Sequence, residues 1–122
     1  MIKLSDAEIC IMHIIWNKGR ATSFEIIDEV KKNKKLSENT IRTLLARMVK
    51  KEAIKIGEKN GKTYTYYPLI EQNAFLKEEG NNFLEKIYQG AMNTMLLNFV
   101  KENKLTKKDI EDLLNKIDEE DE

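Results

Sequence analysis

Residues Ser37 to Lys51 read SENTIRTLLARMVKK. Ile41, Leu44, Leu45, Met48 and Val49 recur at helical spacing and form one apolar stripe. The opposite side carries Asn39, Thr43, Ala46 and Lys50, flanked by Thr40, Arg42 and Arg47. A solvated helix face ordinarily carries long charged side chains throughout. Here the middle is small and uncharged, with cations at the borders. That pattern suits a helix whose backbone must approach another surface closely.

The surrounding segments predict what braces this helix. Ser5 can cap a first helix that runs to Lys18 and stops at Gly19. Its run ICIMHIIW, residues 9–16, is apolar on more than one side. Thr22 and Glu25 have capping-box spacing at the start of a second helix, whose apolar face is read as Phe24, Ile27 and Val30 with Ile26 beside them. The run KKNKK, residues 31–35, interrupts the pattern, and Ser37 caps the third helix. From Ile54 the period becomes extended: IKIGEK and KTYTYYP flank Asn60-Gly61, which predicts a hairpin with Asn60 and Gly61 central in a type I′ turn. Pro68 closes the second strand.

Helical periodicity returns after Ile70. Phe75, Leu76, Phe83, Leu84, Ile87 and Tyr88 predict a fourth helix, with Gly80 as a weak point and Gly90 near its end. Met92, Met95, Leu96, Phe99 and Val100 predict a fifth. Thr106 and Asp109 can cap a sixth, which carries Ile110, Leu113, Leu114 and Ile117. The acidic tail DEEDE is expected to fray. The fold class is therefore mainly α with a small antiparallel β wing. A winged helix-turn-helix domain at residues 1–69 is followed directly by a three-helix domain at residues 70–122.

Charge divides along the same line. The 122 residues have zero formal net charge. Residues 1–69 hold 14 basic and 8 acidic side chains, a surplus of +6, and residues 70–122 hold 7 and 13, a deficit of −6. A basic front half fits an anionic partner, and an acidic rear half fits a different task. Cys10 is the single cysteine, which excludes an intramolecular disulfide and a Cys-rich metal site; within its apolar run it reads as a buried small hydrophobe. His13 is the sole histidine and lies inside the first helix pattern. No metalloprotease motif, no phosphate-cradling glycine loop and no plausible catalytic Cys/His pair is present, so no catalytic residue, metal or cofactor is expected. No signal peptide and no run of about 18 apolar residues is found, so a cytoplasmic protein without membrane insertion is expected.

Three helices and a hairpin form the arrangement that places a helix in the major groove of double-stranded DNA. On that reading Thr43 and Ala46 let the backbone sink between the strands. Asn39, Thr40 and Thr43 offer hydrogen bonds to bases, and Arg42, Arg47 and Lys50 reach guanine edges or phosphates. Ser37 is counted among the DNA-binding residues, and the helix N-terminus that it caps adds backbone N–H donors and a partial positive charge. Lys59 and Lys62 make the hairpin tip basic, while Tyr64 and Tyr66 are read as strand packing. Phe83, Leu84, Ile87, Met92, Met95, Leu96, Phe99, Ile110, Leu113, Leu114 and Ile117 form stripes that need a second surface, and a homodimer is the simplest source. The rival reading is a winged-helix module that binds protein rather than DNA.

The segments AEICIMHIIW, SENTIRTLLARMVKK, KTYTYYPLI and FLEKIYQGAMNTMLLNFV, in this order along the chain, resemble the BlaI/MecI penicillinase-repressor family. The resemblance implies a dimeric winged-helix repressor of β-lactam-resistance genes that binds palindromic operators with TACA/TGTA-type half-sites. Family members with another regulon would look much the same. The family's Ser-Pro-Lys-Thr-like segment corresponds to Ser37, Glu38, Asn39 and Thr40. Thr40 and Arg42 match its base-contacting positions, whereas Asn39 stands where lysine is common. The resemblance further implies a membrane-bound metalloprotease sensor or a downstream protease as partner, and cleavage at the bond between Asn98 and Phe99. Ile9 and Leu36 replace frequent tryptophans, and Glu52 stands where a helix-ending glycine is usual. The cysteine cluster of the copper-responsive relatives is absent.

Overall fold

The computed structural model describes residues 2–86 and 89–120. Six helices and three short strands follow in the order α1 (Asp6–Lys18), β1 (Ala21–Thr22), α2 (Ser23–Asn33), α3 (Glu38–Lys50), β2 (Ile54–Asn60), β3 (Thr63–Pro68), α4 (Gln72–Glu85), α5 (Gln89–Glu102) and α6 (Lys107–Glu120). They fall into two compact units, the first ending at Lys77 and the second starting at Glu78.

The helices of the first unit begin where the caps predict. Ser5 with Glu8 and Thr22 with Glu25 form complete capping boxes, and the Ser37 hydroxyl accepts the Thr40 N–H. Each cap satisfies donors that the first turn leaves without helical partners. Ile11, Met12 and Ile15 of α1, Ile26 and Val30 of α2, and Ile41, Leu45 and Met48 of α3 meet in one core with Ile54 and Tyr66. Phe24 does not join them and is 71 % exposed. At about 100° per residue, Ile26, Ile27, Val30 and Ser23 cluster on one arc of α2 while Phe24 falls more than about 100° from its centre. Cys10 is half-buried rather than enclosed. His13 is also half-buried, with its ring edge on Trp16 at 5.3 Å.

The sheet is antiparallel in the order β1-β3-β2. The two residues of β1 pair with Tyr66 and Thr65, a strand too short for periodicity to reveal. The wing hairpin forms, but with another turn. Asn60 pairs with Thr63, so Gly61 and Lys62 are the central residues, and only Gly61 has positive φ, at 63°. Positive φ at the first central position alone is the type II′ pattern, not type I′. Between Ile56 and Lys59 the register shifts, and β2 bulges. Gly57 lies in this bulge, where any Cβ would run into the Tyr67 ring.

Two further contacts hold the frame. The Trp16 indole N–H donates to the Ile70 carbonyl at 2.8 Å, and its ring stacks obliquely on Phe75 at 5.6 Å. These contacts bind the start of α4 to the first unit, which explains why that unit extends past residue 69. Glu8 is buried, and its carboxylate accepts from the Lys51 ammonium at 2.9 and 3.1 Å. This ion pair ties the start of α1 to the end of α3.

α3 ends without glycine. The Ala53 N–H reaches the Met48 carbonyl at 2.9 Å and the Glu52 N–H reaches Val49 at 3.0 Å, the two bonds of a Schellman motif. Glu52 consequently takes φ 63°. α5 ends in the same way, with Leu105 N–H on Val100 O and Lys104 at φ 53°.

The second unit is built differently. α4 stops at Glu85 and α5 has already begun at Gln89, so Gly90 lies in the first turn of α5 rather than at the end of the fourth helix. The expected apolar positions Ile87 and Tyr88 lie outside the described residues. α6 carries the expected capping box, Thr106 with Asp109. No residue after Phe75 is buried among those described.

Replacing Glu52 by Gly removes the left-handed strain of a side-chain-bearing residue and should stabilise the first unit by about 1 kcal/mol. Thermal unfolding checks it; an unchanged or lowered midpoint contradicts the strain. Burial pushes the Glu8 carboxyl up, but the Ser5 N–H and the Lys51 ammonium outweigh it and hold it below its ordinary value of 4.5. A lowered folded value means the pair's stability is complete above that pH and drains away as pH falls further. Lys51→Ala should cost about 2 kcal/mol at neutral pH, less than a fully buried pair because Lys51 is partly exposed. Its acid-unfolding slope should be shallower than the wild type's; equal slopes would remove Glu8 from the acid transition.

Candidate nucleic-acid interface

The buried stripe of α3 decides which of its residues are free. With Ile41, Leu44, Leu45 and Met48 inward, Ser37, Asn39, Thr40, Arg42, Thr43, Ala46, Arg47 and Lys50 are all exposed. Asn39, Thr43, Ala46 and Lys50 lie about 150–170° from the centre of the buried stripe, with Thr40, Arg42 and Arg47 about 90–110° from it on either side. Val49 is half-buried and closes the stripe.

Local hydrogen bonds hold several of these groups. The Ser37 hydroxyl lies 2.9 Å from that of Thr40. The Thr43 hydroxyl donates to the Asn39 carbonyl at 2.9 Å, which leaves its lone pairs and methyl outward. The Arg42 Nε meets the Glu38 carboxylate one turn back at 3.4 Å, both side chains about half exposed. Such a surface pair is worth about 0.5 kcal/mol or less, so a stronger anion can displace Glu38.

The wing sits beside α3. Lys59 and Lys62 are exposed, and the Lys59 ammonium lies 5.0 Å from the Tyr64 ring centre. Tyr66 is core and Tyr64 packs against it, as strand packing requires. Burial pushes the Tyr66 hydroxyl up, and the positive charge of Arg42 opposes it. Arg42 and Lys62 line one open cleft of about 260 Å³ with Glu38, Thr63 and Phe24. Phe24 is the residue of this surface that periodicity misassigned; its angular distance from Ile26 and Val30 was the available signal.

The apolar stripes of the second unit are also outward. Phe83, Leu84, Leu96, Phe99, Ile110, Leu113, Leu114 and Ile117 are exposed, Met92 and Met95 are half-exposed, and Leu97, which the stripe omitted, is 53 % exposed. Ile87 lies outside the described residues. Asn98 and Phe99 lie within α5 and line a shallow groove with Met95 and Glu102. No helix among the described residues is long and apolar enough to cross a membrane.

The family model described as penicillinase repressor matches residues 4–119. This chain belongs to the penicillinase repressor family. Its members are DNA-binding repressors and not enzymes. The repressor is 39 % identical over 113 residues to the methicillin resistance regulatory protein MecI of Staphylococcus aureus strain N315, covering 93 % of this chain and 91 % of that protein. It is 32 % identical over 117 residues to the penicillinase repressor of Bacillus licheniformis, covering 96 % and 91 %. A solution structure of Bacillus licheniformis BlaI in monomeric form, in complex with the blaP half-operator, superposes with a TM-score of 0.51. That match is at 35 % identity and spans 58 % of this chain and 85 % of the other. The mainly helical fold with its antiparallel wing is thus that of a winged-helix repressor.

Proposed function

We propose that this repressor binds a palindromic operator as a homodimer, with α3 in the major groove of each half-site. One observation carries the reading: the face of α3 turned away from the core has a small, uncharged centre and cationic borders. Asn39, Thr40 and Thr43 are the hydrogen-bonding groups for base edges, and the Thr43 and Ala46 methyls suit a thymine methyl. Arg42, released from Glu38, is the group for a guanine edge. Ser37, Arg47, Lys50 and the wing residues Lys59 and Lys62 position the protein on phosphates. The family resemblance supports TACA/TGTA-type half-sites and a β-lactam-resistance regulon.

Exposed apolar side chains on α4, α5 and α6, in a unit with no buried residue among those described, support dimerisation through residues 78–122. Apolar surface of this extent is seldom left to solvent. Two linked reading heads gain roughly 10² to 10⁴ in affinity over one, so disabling the dimer disables repression. Cleavage between Asn98 and Phe99, following a signal from a membrane-bound metalloprotease sensor or a downstream protease, would do this by cutting α5. A helical bond is cut only when the helix opens locally, and an exposed α5 in a free protomer favours that.

Arg42→Ala should weaken binding to a duplex with inverted TACA/TGTA repeats by about 1–3 kcal/mol and relax base choice at one position. Unchanged affinity in a mobility-shift titration would remove Arg42 from the base contacts. The full-length chain should sediment as a dimer, and Leu113→Glu should shift it to monomer and weaken operator binding about 10²-fold or more. A wild-type monomer at micromolar concentration contradicts the dimer. In cells induced with a β-lactam, mass spectrometry should find a fragment ending at Asn98; induction with the chain intact contradicts cleavage.

A further inference from the structure

Between α2 and α3, Lys32, Asn33, Lys34 and Lys35 have no part in the arrangement above, while Lys31 also lines the cleft of Arg42 and Lys62. Residues 31–35 are four lysines and one asparagine, all exposed. With Leu36 and Ser37 they line an open cleft of about 630 Å³ that includes no acidic residue. Lys32 is engaged by Asp28 at 3.5 Å and Glu29 at 3.8 Å. Lys31, Lys34 and Lys35 have no ion pair among the described residues.

Helix-dipole compensation accounts for only part of this charge. Lys31 and Lys32 sit in the last turn of α2, where cations are favoured. Lys34 and Lys35 lie beyond it. Lys34 has left the helix, with φ −139° and ψ 147°, and its N–H is held by the Val30 carbonyl at 2.8 Å. Leu36 packs against the core two residues later. The lysines therefore project from a short segment pinned at both ends, and ordering them costs little further backbone entropy.

On the proposed seating of α3, the segment lies beside the sugar-phosphate strand. From Lys34 to Ser37, the cap of α3, the chain spans at most about 10 Å. The major groove is about 12 Å wide. A helix seated in it brings its N-terminal turn up to the sugar-phosphate strand on that side.

We propose that the α2–α3 turn is a sequence-independent phosphate clamp, with Lys34 and Lys35, aided by Lys31, gripping the backbone beside the N-terminus of α3. The clamp rests on the proposed seating of α3 in DNA. It adds affinity and salt sensitivity without base preference, because phosphates carry no sequence information.

The test uses the full-length chain and its K34Q/K35Q variant. Binding is titrated against KCl on a duplex with inverted TACA/TGTA repeats and on a scrambled duplex of the same composition. Each phosphate contact contributes about −0.9 to the log–log slope, so the variant should lose about 1.8 per protomer engaged. Both duplexes should weaken by the same factor, leaving their affinity ratio unchanged. K107Q/K108Q removes the same charge from α6 and should keep the wild-type slope. An unchanged slope in K34Q/K35Q, a loss confined to the repeat-bearing duplex, or an equal loss in K107Q/K108Q overturns the clamp. In each of those cases the wild type still binds DNA, and the seating of α3 stands. Salt-independent or absent binding by the wild type overturns both. Matching thermal midpoints of variants and wild type separate any loss from unfolding.

Discussion

Four side chains of α3, Ile41, Leu44, Leu45 and Met48, lie within the core of the first unit, and the outward face of that helix follows from their burial. Each contributes about 1.5–3 kcal/mol by leaving water, so rotating α3 about its axis would forfeit much of the stability of a small domain. The helix is thereby locked in phase. Its ends are locked too: Ser37 satisfies the first turn, a Schellman motif closes the last, and Lys51 is drawn onto the buried Glu8. On the proposed seating of α3, a face that meets bases within hydrogen-bonding distance needs this rigidity more than any one contact.

The two units solve the problem of apolar surface in opposite ways. The first folds three helices and a three-stranded sheet around a shared centre. The second places its leucines, isoleucines and phenylalanines on helical stripes that remain exposed in one chain. The charge split follows the same division. A basic front attracts a polyanion and an acidic rear repels it, which fits the proposed division between DNA binding and protein contact. On the proposed function, affinity for DNA and assembly fall to different stretches of chain, and loss of one would silence the other.

The features legible in the sequence are those that depend on neighbours within four residues. Capping boxes at Ser5, Thr22 and Thr106, the cap at Ser37 and the stripes of α3 and α6 fall in this class, because a helix closes its hydrogen bonds locally. Features that depend on distant partners were not legible. β1 is two residues long and exists because Tyr66 and Thr65 lie alongside. The hairpin turn shifted by one residue because the strand register, bulged at Gly57, placed Asn60 opposite Thr63. The end of the first unit moved from residue 69 to Lys77 because Phe75 found the Trp16 ring.

By itself the sequence determined the helices, the wing, the separation of charge and the residues that α3 turns outward, since periodicity and capping are properties of adjacent residues. Tertiary structure decided what those outward residues share. Arg42 and Lys62, 20 positions apart, border one cleft with Phe24 only because α2, α3 and the wing pack on a common core. The turn of about 100° per residue already sets Phe24 apart from Ile26 and Val30, but which neighbours it shares that surface with is a property of the packing.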